Sequence, residues 1–189
     1  AGSPGQATAL LDPVLADARE PALRADVQLL RGMAIQQGGS PMAAFALLEA
    51  EAERVVAHDR ARAAGLLTQA GVGLVAHGSM DRLAALAERA LALAPPEAEL
   101  VPAVLHASAL ATLGEHARAR TLLRRRHGAL RALDPTGPGH EILAVAALVH
   151  LWMEDYEDAE RLLVWLIETC RERGAIVALL AGLIGDTAE

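Results

Sequence analysis

Four turn-forming positions recur along this chain at nearly constant spacing: Gly39, Gly78, Gly114 and Glu154 lie 39, 36 and 40 residues apart. Five residues after each stand Ala44, Leu83, Ala119 and Ala159, and four further on stand Leu48, Ala87, Leu123 and Leu163. Seven residues before each turn stand Gly32, Gly71, Ala107 and Ala147. A period of this size marks a stack of supersecondary units, none of which can bury its apolar face alone. A glycine lets the chain reverse tightly, and a small residue early in the second helix lets the two helices approach. The spacing therefore predicts at least four antiparallel helical hairpins.

Composition decides that the units are helical. Alanine and leucine fill 74 of 189 positions and only 2% of residues are aromatic; both are strong helix formers, whereas a sheet needs β-branched and aromatic residues. A substantial β-sheet is excluded. A single domain of this length buries roughly 70% of its unfolded surface, so no staple is required, and the one cysteine, Cys170, cannot form an internal bridge. The breakers Pro21, Gly38-Gly39, Pro41, Gly78, Pro95-Pro96, Gly114, Pro135 and Gly174 delimit about ten helices, near 5–18, 21–37, 41–57, 59–77, 80–94, 97–113, 115–133, 139–153, 155–173 and 175–187. Ser40 before Pro41 reads as an N-cap, and Ser79 with Asp81 suits the next second helix. Pro13 is expected to kink or shorten the first helix. The whole of 1–189 reads as one repeat domain.

At these residues the chain resembles the tetratricopeptide repeat (TPR), in which a small residue in helix A, a turn glycine, an early alanine in helix B and a closing proline, here Pro95, recur. The intervals are longer than that family's 34 residues, Leu83 replaces one alanine and Glu154 one glycine. The resemblance implies a degenerate, all-α, TPR-like α-solenoid with a right-handed superhelix. Residues 21–70 and 157–189 further resemble the helical middle region of large LuxR-type bacterial transcriptional regulators, where a nucleotide-binding module precedes the repeats and a helix-turn-helix follows. That resemblance implies a noncatalytic sensor or interaction region, probing for a partner or ligand on behalf of modules elsewhere. A free-standing scaffold that binds a protein or peptide in its concave groove is the alternative. The absence of lysine and asparagine, both encoded by AT-rich codons, points to a GC-rich bacterial genome.

Several chemistries are excluded or disfavoured. A P-loop needs GxxxxGK[ST], and the chain has no lysine; ATP hydrolysis is not expected. A net charge of −7 disfavours direct nucleic-acid binding, which rests on neutralising phosphates. No apolar run reaches the ~20 residues of a membrane span, and AGSPGQ at the start lacks the form of a signal peptide, so a cytoplasmic protein is expected. The seven histidines show no HExxH and no helical ligand pair, so neither a metal nor any other cofactor is expected. Glu49/Glu53 and Glu154/Glu157 read as solvated pairs, and Cys170, despite Arg171 and Arg173 nearby, reads as structural.

Three surfaces stand out. From Glu115 to Arg131 there are six arginines against one acid, and Arg120, Arg124, His127 and Arg131 fall on one stripe of a continuous helix, a solvated face or a dock for an acidic surface such as another domain of the same regulator. The repeat register places Met33, Gln36, Thr68, Val72, Val75, Val104, Ser108, Glu141 and Leu148 along a groove for an amphipathic helix or a small hydrophobic ligand. Finally, Ile176, Leu179, Leu180 and Leu183 form the apolar face of a last helix without a hairpin partner, which predicts a homodimer through that helix and a chain cut from a longer protein.

Overall fold

A computed structural model describes residues 3–136 and 140–174. Among them are ten α-helices and no strand: α1 (Pro4–Asp17), α2 (Pro21–Gln37), α3 (Pro41–Val55), α4 (Arg60–His77), α5 (Met80–Leu93), α6 (Leu100–Thr112), α7 (His116–Arg125), α8 (His127–Ala132), α9 (His140–Trp152) and α10 (Tyr156–Glu172). A single 3-10 turn, Pro96–Ala98, precedes α6. The final helix expected at 175–187, with its self-association residues Ile176, Leu179, Leu180 and Leu183, lies outside the described residues. The chain divides into two compact units, Ala1–Leu105 and His106–Glu189.

The four turns are built alike. Gly39, Gly78, Gly114 and Glu154 all have positive φ, between 61° and 86°. At each, the turn residue's N–H donates to the carbonyl three residues back: Gly39 to Gln36, Gly78 to Val75, Gly114 to Ala111, Glu154 to Leu151. The next N–H reaches five residues back: Ser40 to Ile35, Ser79 to Leu74, Glu115 to Leu110, Asp155 to His150. This pair of bonds satisfies the orphan carbonyls of the first helix, the Schellman arrangement. Gly174 has the same sign of φ, at 65°, after α10.

Burial follows the same register. Ala44, Leu83, Ala119 and Ala159 are each 0% exposed, and Leu48, Ala87, Leu123 and Leu163 one helical turn later are buried. Gly32 and Gly71 are buried as well, and an added Cβ on Gly32 would stand 2.6 Å from Leu48 Cδ2. The small residue in the first helix thus exists because a leucine of the second sits directly on its backbone.

In the first unit consecutive helices pack on one another from α1 to α5, and α2 also packs on α4. Gln36 lies over Gly73 there, where its Nε2 would be 2.6 Å from an added Cβ, and Gln69 donates to Gln36 Oε1 at 2.7 Å. Ion pairs join residues about one repeat apart within each unit. Arg62 donates to both oxygens of Asp26 at 2.8 and 3.0 Å, and Arg89 holds Glu53 and Glu49 together. In the second unit Arg173 meets Asp134 at 2.6 Å.

Some local expectations are corrected. The segment 115–133 is two helices: at Arg126 (φ −113°, ψ 9°) the chain leaves helical geometry and restarts. Gly128 is a weak helix former, and arginines at 120 and 124 repel at i,i+4 spacing, so propensity does little to hold the helix straight. Pro13 lies inside an α1 that runs unbroken from residue 4 to 17. Ser40 and Ser79 occupy N-cap positions but make no capping hydrogen bond; Asp59 caps α4 through Arg62 N–H at 2.9 Å, and Ser3 with Gln6 forms a capping box on α1.

Candidate functional site

The arginine-rich segment and the hairpin after it build one cleft in the second unit. The Schellman turn at Glu154 ends α9 and starts α10, placing Asp155, Asp158 and Arg161 on successive turns near His150. The break at Arg126 redirects the chain so that α8 buries Leu130 while His127 and Arg131 turn to the same side as Arg124. The resulting open cleft is lined by Leu123, Arg124, His127, Leu130, Arg131, His150, Asp158, Arg161 and Leu162.

Its charges are unevenly satisfied. Arg120, the first residue of the expected stripe, does not line the cleft: its Nε and Nη2 donate to Asp155 at 2.8 and 2.7 Å. This bidentate pair holds the Asp155 carboxyl below the usual carboxylate range. Arg161 pairs with Asp158 within α10. The guanidinium of Arg131 lies 5.7 Å from the centre of the Trp165 ring, a cation–π distance. His150 is largely buried, and that burial pushes its pKa below the ordinary histidine value although Asp158 and Asp155 pull the other way. It is therefore neutral at pH 7.

The same corner brings a ring nitrogen and two carboxylates together. Ligand atoms of His150, Asp155 and Asp158 lie within 4.8 Å of one another. Both carboxylates are already engaged, by Arg120 and Arg161, so a cation would enter against two guanidiniums and displace their hydrogen bonds. The arrangement suits ion-paired packing better than metal ligation.

Of the expected groove, Met33 and Val72 are exposed at 37% and 43%, Val75, Thr68 and Leu148 are half-buried, and Glu141 is exposed. Gln36 is half-buried and tied to Gln69. Val104 and Ser108 depart from the expectation, being 0% and 1% exposed. They belong to α6, which is buried without interruption from Pro102 to Ala111; a helix buried on all sides has no face left for a partner. Cys170 is 0% exposed, and burial raises its thiol pKa despite Arg173, which is the setting of an inert structural thiol.

Sequence patterns single out Arg124, His127 and Arg131 but miss His150, Asp158, Arg161 and Trp165. The usable signal was positional: His150 lies four residues before the turn at Glu154, so α9 and α10 meet beside it. No family model, curated protein or solved structure matches this chain.

Proposed function

We propose that the chain is a noncatalytic interaction domain, a TPR-like right-handed α-solenoid that serves as the sensor or relay region of a LuxR-type transcriptional regulator. One observation carries the repeat part: four turns 36 to 40 residues apart share the same two hydrogen bonds and the same buried positions on either side. Ion pairs spanning 35 to 39 residues, such as Arg120 with Asp155 and Arg173 with Asp134, suit units laid one on the next. The regulator part rests on the resemblance of residues 21–70 and 157–189.

In this role the domain receives a protein or peptide segment, another domain of the same regulator, or a small hydrophobic ligand, and passes the binding energy to nucleotide-binding and DNA-binding modules. Differential affinity for two states of the whole protein is what such a relay requires. The scaffold alternative draws on Met33 and Val72, apolar side chains left exposed on first helices of the hairpins.

The reading frame on either side of this sequence tests the role: a P-loop motif before it and a helix-turn-helix after it are expected, and a frame with neither supports the scaffold. The purified chain should release no phosphate from ATP with magnesium. It should bind duplex DNA only at nonspecific strength, with a steep loss on adding salt. A magnesium-dependent turnover abolished by one substitution in this chain would overturn the noncatalytic assignment.

A further inference from the structure

The cleft of the second unit joins apolar and cationic side chains. Leu123, Leu130 and Leu162, each less than a tenth exposed, line it together with Arg124, Arg131 and Arg161. Asp158 answers Arg161. No carboxylate among the described residues pairs with Arg124 or Arg131; the contact of Arg131 is the ring of Trp165. A chain of net charge −7 thus places two guanidiniums without a described carboxylate partner at one cleft. Trp165 lies within cation–π distance of one of them, at 5.7 Å.

We propose that this cleft binds an organic carboxylate carried on an apolar body, with the head group between Arg124 and Arg131 and the alkyl or aryl portion against the leucines. A guanidinium's fork matches the two oxygens of a carboxylate. In small-molecule sites a few convergent polar groups orient a mainly apolar ligand, and this cleft sets arginines beside leucines. An inorganic anion would meet the arginines alone; a neutral hydrocarbon would leave them without a counter-charge. His127 adds a further donor at the rim. The step is binding alone, with no bond made or broken.

This inference deepens the sensor assignment by naming the class of ligand sensed, and it rests on that assignment only for the consequence of binding. The full chain is titrated with octanoate, following heat by calorimetry and tryptophan fluorescence, with Trp152→Phe to leave the emission of Trp165 beside Arg131. One saturable site is expected, with octanol and inorganic phosphate each binding at least about tenfold more weakly. Arg124→Ala/Arg131→Ala should weaken octanoate by at least about tenfold, while Arg89→Ala in the first unit leaves it unchanged. Should the double variant lose its helical circular dichroism, Arg124→Gln alone, at an exposed position, serves instead and should weaken binding several-fold.

Equal affinity for octanoate and octanol, unchanged affinity in the arginine variants, or no saturable binding would each overturn the site. Arginine-dependent octanoate binding in a reading frame without nucleotide- and DNA-binding modules would uphold the site and overturn the sensor role. No binding in a chain flanked by both modules would overturn the site and leave that role standing.

Discussion

Replacing Gly32 by alanine inserts one methyl group where the two helices of the first full hairpin touch. The new Cβ would stand 2.6, 2.7 and 2.8 Å from Leu48 Cδ2, Cγ and Cδ1, closer than carbon atoms approach without displacement. Leu48 is 0% exposed, so its branch point cannot swing into solvent, and α2 and α3 must separate or Leu48 must leave its rotamer. Overpacking of this kind costs about 1–3 kcal/mol, against which the better helix propensity of alanine returns about 1 kcal/mol. The net expectation is a destabilisation of about 0–2 kcal/mol. Gly65 is the internal control: it is exposed on α4, and a Cβ there meets nothing within 4 Å. Gly65→Ala should stabilise by about 0.5–1 kcal/mol, so the two identical chemical changes differ in sign.

A double-mutant cycle isolates the contact. Leu48→Ala alone should cost about 2–5 kcal/mol, and the added methyl at position 32 fills part of the resulting cavity. The double variant should therefore be less destabilised than the sum of the singles by about 0.5–3 kcal/mol. Urea unfolding followed by far-ultraviolet circular dichroism is the assay, because both tryptophans, Trp152 and Trp165, belong to the second unit. If Gly32→Ala stabilises as much as Gly65→Ala and couples to Leu48→Ala by nothing measurable, the assignment of this glycine to close helix contact is wrong.

Glu154 is the one non-glycine residue with positive φ among those described, so Glu154→Gly should raise Tm by about 2–4 °C by relieving roughly 1 kcal/mol of left-handed strain. Gly114→Ala, at φ 82°, should lower Tm by a similar amount, read in the same thermal scans. Asp155 has a depressed folded pKa because Arg120 hydrogen-bonds its carboxylate; its contribution is fully present above the ordinary aspartate value near ~4 and is lost as pH falls through the folded value. Asp155→Asn should consequently flatten the loss of stability below about pH 4, measured as urea midpoints at several pH values, and an unchanged slope would refute the role of this pair. Cys170, 0% exposed with its thiol pKa raised by burial, should react with an aromatic disulfide reagent on the order of 100-fold faster in urea than in the native protein.

Local chemistry was legible in the sequence because its causes are local. The turn positions at 39, 78, 114 and 154, the small residues that flank them and the helical character of the segments between follow from glycine's tolerance of positive φ, from helix propensity and from a period that each hairpin repeats. Glu154 was legible only through that period, since no intrinsic preference puts glutamate in a left-handed turn. The candidate cleft is legible in half: Arg124, His127 and Arg131 stand out as charge, but the sequence predicts one straight helix beneath them where the chain breaks at Arg126. Which charges remain available is a question of partners far along the chain. Arg120 is taken up by Asp155, 35 residues away, and Arg124 is left unanswered by any described carboxylate; no pattern within a few residues separates those two arginines. The same holds for α6, where Val104 and Ser108 occupy the positions of an open groove in the register and are buried in the structure. Hydrogen bonding between near neighbours fixes helices and turns, whereas burial and ion pairing depend on which distant surfaces meet, and only the packed chain decides that.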